Sequence, residues 1–424
     1  MSETTPSTEN MRVHRLPNGF TVAMERLPYL HSAAFGIWAR AGSGVELPHE
    51  SGAAHFLEHL FFKGTRTRNV HQLMEAVESR GGYLNASTGR EGTNLYVRML
   101  TRHVPVGIEV LADIARNSLF CDMDKERGVI LEEIASVEDN PDDFAHDLIT
   151  EFHWPGHPLG RPVAGTEESV SALRRDDVAA FYERWYTPEH LVFSIAGNFD
   201  EDAVLQQVTE AFGDWPAAPS APMPPVPVFR AGVTSVERPI SQAHVNLAFP
   251  GVPSADPGRF ACSLMVNVLG GGSTSRLFEK IREEEGLAYN ICAYHNDYAA
   301  VGIVGVYQAL APEQCDRACT LVYDELRRIC DEPVPEAELE MNREQIKGSM
   351  LMSLENPGSR ASRMATNMLI HGRLVPVEEV TANLDAVTPD DVQRFAQRTF
   401  RMECCASLVL GPEDMPALGG PVLP

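Results

Sequence analysis

No run of 18 or more apolar residues occurs in this 424-residue sequence, so no segment has the length and character of a membrane-spanning helix. No Cys-x-x-Cys pair occurs either. The eight cysteines (Cys121, Cys262, Cys292, Cys315, Cys319, Cys330, Cys404 and Cys405) form no tight framework. That excludes a disulfide scaffold and leaves reduced, mostly buried thiols. The opening residues, MSETTPSTENMRVHRL, lack the basic and apolar regions of a secretory signal. They also lack the Arg-rich, acid-poor character of a mitochondrial presequence. They read as a short disordered tail, residues 1–11, on an intracellular protein. Positive charge is scarce: 35 Lys and Arg against 59 Asp and Glu give a formal net charge of -24. Nucleic acid is a poor partner for such a chain, because its affinity rests on basic contacts to phosphate. A basic peptide would be attracted, although acidity also serves solubility alone.

What is present suits two domains. The length is right for a pair of domains of about 200 residues each, and 44% hydrophobic residues supply large cores. The densest proline run, WPAAPSAPMPPVPV over residues 215–228, has neither helical nor strand periodicity and reads as a stiff linker. It divides the chain into residues 12–214 and 229–424, whose plans look alike. A strand carrying Ala34, Gly36 and Trp38, then a turn, then a helix, is matched by a strand carrying Val245, Leu247 and Phe249 in the same order. Residues 69–82 have a helical period ending at glycines. GYLNASTGREGTNLYVRML reads as two strands joined by a turn at residues 89–92. Strands next to strands, with helices elsewhere, predict an α+β fold of two homologous halves, each an antiparallel sheet packed with helices.

The segment SGAAHFLEHLFFKGT (residues 51–65) is apolar almost all round, yet carries His55, Glu58 and His59. On a helix these share one face. Buried polar groups need partners, and a shared metal partners all three: both imidazoles reach one Zn²⁺ and Glu58 lies beside them for a water. H-x-x-E-H is the inverted zincin signature. A single His here would be an ordinary core residue; two His and a Glu in this order are not. A catalytic zinc takes a third protein ligand and keeps one position open. The helical pattern of MDKERGVILEEIASVEDN aligns Glu126, Ile130, Glu133 and Val137 on one half-buried face, while Glu132 falls on a wetter side. Periodicity favours Glu133 as the ligand, with Glu126 behind it supporting the site or serving as a plain salt-bridge partner.

HFLEHLFFKGT, LNAST, ERGVILEEI, HPLGRPVAGT and GGGSTSRLFEKIREEEGLAYNICAY together resemble the insulinase-type (inverzincin, M16) zinc peptidases. The likeness is greatest to the mitochondrial processing peptidase β-subunit and its single-chain bacterial relatives, and it covers nearly the whole chain. The resemblance implies peptide-bond hydrolysis with His55, His59 and Glu133 as zinc ligands, Glu58 as general base and Glu126 in support. It implies that Arg282 and Tyr289 face the active site from a C-terminal half. The right half has ACSLMV where the repeat would place the zinc motif, so one half holds metal and the other walls the cleft.

From the same resemblance, a peptide adds as a strand beside Asn85, Ala86 and Ser87, and Phe62 lines the pocket after the cut. Asp143 and Asp147, four apart on one helical face, receive an arginine upstream of it; the plain alternative is a solvated acidic helix start. GGGSTSRLF reads as a turn capping a helix that begins near Ser273. The implied partners are a peptide or unfolded segment and a homologous chain in a homodimer or heterodimer, with neither nucleic acid nor membrane. The implied location is the cytoplasm of a bacterium. Two other readings stand beside the zinc endopeptidase. One is a non-catalytic subunit, against which the intact HxxEH argues. The other is a peptide-binding protein with a structural zinc, for which no fourth ligand is in sight.

Overall fold

The structure is a computed structural model and describes residues 10–218 and 221–413. Residues 1–9 of the expected tail lie outside these, and Met11 already opens the first strand. The chain forms two compact units. One is built from residues up to Ile134, Arg161–Pro224 and Leu351–Val377. The other is built from Ala135–Gly160, Pro225–Met350 and the residues from Glu378 onward.

In the first unit, β1 (Met11–Arg15), β2 (Thr21–Arg26), β3 (Ser32–Ala39), β4 (Tyr83–Thr88), β5 (Thr93–Leu100) and β6 (Leu191–Gly197) form one sheet in the order β1-β2-β6-β3-β5-β4. In the second, β7 (Gly232–Glu237), β8 (Ala243–Pro250), β9 (Ala288–Asp297), β10 (Gly302–Leu310) and β11 (Ala406–Gly411) follow the order β7-β11-β8-β10-β9. With β1 set aside, the two orders superimpose strand for strand, which is the duplication read from the sequence. Neither sheet is wholly antiparallel: β2 pairs β6, and β11 pairs β7, in parallel. The long excursion between the partners, holding most of each half, leaves room for the crossover that a parallel pair requires.

Each sheet comes from one side of the 215–228 stretch, but two helices do not respect that division. Ala34, Gly36 and Trp38 alternate out of β3, and Trp38 packs with Ala361, Met364 and Ala365 of helix Pro357–His371. On β8, Ala248 packs with Ala145 and Ile149 of helix Pro141–His153. Each central strand is therefore buried on both faces. Helix Val70–Glu78 and the β4–β5 hairpin form where expected, the helix opening on an Asn69–Gln72 capping box. The helix expected near Ser273 begins later. The glycines end helix Arg259–Gly270, and a π-helical segment, Phe278–Glu284, follows. Among the described residues no helix is long and apolar enough to cross a membrane.

Candidate metal centre

Helix Ala53–Phe61 is short, and its apolar positions Ala53, Ala54, Phe56, Leu57, Leu60 and Phe61 are all fully buried. The polar residues His55, Glu58 and His59 are left on the one face that is not packed away. Helix Met123–Asp139 supplies the opposite wall, burying Glu126, Ile130 and Ile134.

His55 Nε2 lies 3.6 Å and His59 Nε2 lies 3.5 Å from Glu133 Oε2. Donors about 2.0–2.1 Å from one tetrahedral zinc would stand about 3.4 Å apart, so these spacings fit a shared ion. The potential ligand atoms of His55, His59 and Glu133 all lie within 4.8 Å of one another, and among the described residues no other such group of three occurs. Two imidazoles and one carboxylate, with no fourth protein ligand among the described residues, match a catalytic rather than a structural zinc site.

The surroundings of the two rings differ. On its other side His59 has Glu126, with Nδ1 to Oε2 at 3.3 Å, and Glu126 Oε1 takes an ion pair from Lys63 Nζ at 2.8 Å. Glu126 is almost fully buried, so Lys63 balances a charge that water does not reach. His55 Nδ1 is buried with no hydrogen-bond partner among the described residues. Burial, and then the neighbouring His59, lower the pKa of His55 to about 4, which keeps it a neutral ligand. Burial raises the pKa of Glu58; the Thr88 hydroxyl and His59 oppose the rise and Glu133 adds to it. Glu58 Oε2 is buried and has no hydrogen-bond partner among the described residues.

Phe62 caps the C-terminal end of the His-bearing helix and is half-buried against the core. Asn85 and Ser87 point outward from β4, whereas Ala86 is buried. β4 is an outer strand, paired only with β5. Arg282 and Tyr289 meet each other in the second unit: the guanidinium donates to the Tyr289 carbonyl at 2.8 Å and lies 4.7 Å from its ring, and the tyrosine is 77% exposed. Asp143 and Asp147 belong to helix Pro141–His153, also in the second unit. Asp143 accepts a hydrogen bond from Asn140 at the helix start, while Asp142 is engaged by Tyr307 and His244.

Two residues of the site were not read from the sequence. Lys63 follows His59 by four positions, a spacing that offers it to the same face. Glu46 lies outside any periodic element; its carboxylate accepts the N–H groups of Gly52 and Ala54 at 2.9 and 2.8 Å.

Comparison with known proteins agrees with this geometry. Residues 21–167 match the insulinase family (peptidase family M16) and residues 172–346 match the peptidase M16 inactive domain. An uncharacterized zinc protease of Streptomyces coelicolor is 39% identical over 94% of this chain and 88% of its own length. Another, from Bacillus subtilis, is 34% identical over 94% of this chain and 98% of its own. In fold, the chain is similar to a peptidase M16 inactive domain from Pseudomonas fluorescens (TM-score 0.89, 19% identity, 96% of this chain and 100% of the other). It is similar as well to a protease from Helicobacter pylori (TM-score 0.87, 19% identity, 95% and 99%).

Proposed function

Since this chain belongs to the insulinase family of peptidases, M16, we propose that it is a zinc metalloendopeptidase acting on extended peptides or unfolded protein segments. The observation that carries this reading is the convergence of His55 and His59, from the helix that also presents Glu58, with Glu133 of the facing helix. These three residues would hold a zinc ion, which would supply the Lewis acidity that makes water a nucleophile near neutral pH. Glu58 moves the protons. Its unpartnered Oε2 takes one from the attacking water and returns it to the leaving amine, and its raised pKa brings it closer to the working pH. Lys63 and Glu126 hold the His59 ring in one orientation.

The outer edge of β4 suits a substrate in extended form, which would pair by main-chain hydrogen bonds. Arg282 and Tyr289 supply further donors to the developing oxyanion. Asp143 and Asp147 favour a basic residue upstream of the cut. The chain acts in the bacterial cytoplasm and pairs with a second copy or a homologous chain. A non-catalytic role would leave Glu58 and its three neighbours without a task, and no observation favours it.

The test is a peptide-library digest read by mass spectrometry, for wild type and Glu58→Gln. Internal cuts made by wild type and abolished by the variant support the proposal. Removal of terminal residues only, or equal cutting by the variant, would overturn it.

A further inference from the structure

His59 is aimed by Glu126, but His55 has no partner on its second nitrogen among the described residues. Its direction must come from the backbone that carries it. His55 sits in the first turn of a nine-residue helix, which is too short to be stable alone, and a frayed first turn would swing this ligand first.

The start of that helix is built without a side-chain cap of its own. The N-cap residue is Gly52, in the left-handed region at φ 92°. Both oxygens of Glu46 fill the role from six residues upstream: Oε2 accepts from Gly52 N–H at 2.9 Å and Oε1 from Ala54 N–H at 2.8 Å. Ala54 immediately precedes His55. Glu46 is 2% exposed, and burial pushes its pKa up to about 8 against the pull of these two N–H groups and Arg161. Gly52 and Ala54 are buried as well, so water is in no position to replace the carboxylate.

The segment around Arg161 closes over the same point. Arg161 donates to the Leu47 carbonyl at 3.1 Å. A Cβ on Gly52 would stand 2.8 Å from the Ala164 carbonyl oxygen, and one on Gly165 would stand 3.0 Å from Gly52 Cα. The HFLEHL and HPLGRPVAGT stretches of the sequence are thus two sides of one joint.

We propose that Glu46 is a positioning residue of the metal centre: it fixes the first turn of the His-bearing helix and so does for His55 what Glu126 does for His59. This rests on the zinc reading above. Its removal leaves the core anchors in place and loosens one ligand.

The experiment compares wild type, Glu46→Gln and Glu46→Asp with Val208→Ala, a buried substitution in helix Glu201–Phe212 that lowers stability without touching the joint. Gln is isosteric but presents an N–H to one of the two donors. Asp keeps the carboxyl group but is too short to reach both, and it carries the test if Gln does not fold. Zinc affinity is measured by chelator competition, and ligand geometry by the visible spectrum of the cobalt(II)-substituted protein. The Glu46 variants are expected to bind zinc about tenfold or more weakly and to show an altered cobalt spectrum. Val208→Ala should change neither while losing comparable thermal stability. Wild-type affinity and spectrum in a folded Glu46 variant would overturn this inference alone. A wild-type chain that binds neither ion would overturn the zinc reading and this inference with it.

Discussion

Glu126 and His59 meet at 3.3 Å, carboxylate oxygen to Nδ1, while Nε2 of the same ring faces Glu133 at 3.5 Å. The imidazole is held between the buried carboxylate of Glu126 and the carboxylate of Glu133. Such a partner fixes the tautomer and orientation of a ligating histidine. Glu126→Gln is therefore expected to weaken zinc binding by about 10- to 100-fold, and Lys63→Met to act in the same direction, since it leaves the buried Glu126 without its cationic partner. Chelator competition on the folded variants measures both. Wild-type affinity in Glu126→Gln would show that the contact does not tune the metal.

Glu58→Gln should separate metal binding from chemistry. It removes the proton acceptor and none of the three ligands. Zinc content should stay at the wild-type level while turnover falls by about 10²- to 10⁴-fold. Simultaneous loss of zinc and turnover would make Glu58 a ligand or a structural residue instead.

Acid should act on the metal-free protein through His55. Its folded pKa is depressed, from 6.5 to about 4. Between those values the unfolded chain binds a proton that the folded chain does not. The contribution is thus fully present above about pH 6.5 and is lost as pH falls toward 4, at up to about 1.4 kcal/mol per pH unit. Urea unfolding of chelated wild type and His55→Gln between pH 7 and pH 4.5 should show a shallower loss in the variant. Identical pH profiles would contradict the burial argument.

Much of this site was legible because it is periodic. His55, Glu58 and His59 on one helix, and Glu126 and Glu133 two turns apart on another, announce shared faces before any fold is known. The hairpin of β4 and β5 was legible from its turn residues. Glu46 was not, because its partners are reached through an irregular loop with no repeat to betray it. Nor were the two helices that cover the outer faces of β3 and β8. Their burial patterns state that each has an apolar face but not which sheet receives it, and Trp38 with Ala361, or Ala248 with Ala145, are contacts between residues far apart in sequence. The parallel pairs escaped for the same reason, since register across a long crossover is a tertiary choice.

Arg282 and Tyr289 stack on each other in the second unit, whereas His55, His59 and Glu133 belong to the first. Tyr289→Phe should lower turnover with little change in zinc content. If two chains exchange and supply these residues to each other, mixing Glu58→Gln with Tyr289→Phe chains should restore part of the activity. Exchange of subunits without any recovery would place the tyrosine in the same chain as the metal.

Asp143 and Asp147 should show themselves in substrate preference. Peptides with Arg two or three residues before the cut should be cleaved faster than Ala versions, and Asp143→Asn/Asp147→Asn should erase most of a difference of about tenfold, the scale of one charge-assisted hydrogen bond. A preference that survives the double substitution would assign these aspartates to the helix start alone.

The central claim is that one zinc ion at His55, His59 and Glu133 makes this chain a peptidase. It is tested most directly by restoring zinc stepwise to chelated protein while following hydrolysis of a quenched peptide. Activity should be absent at the start, rise in proportion to added zinc and level off at one ion per chain. Hydrolysis that persists after chelation, or none at saturating zinc, would contradict it.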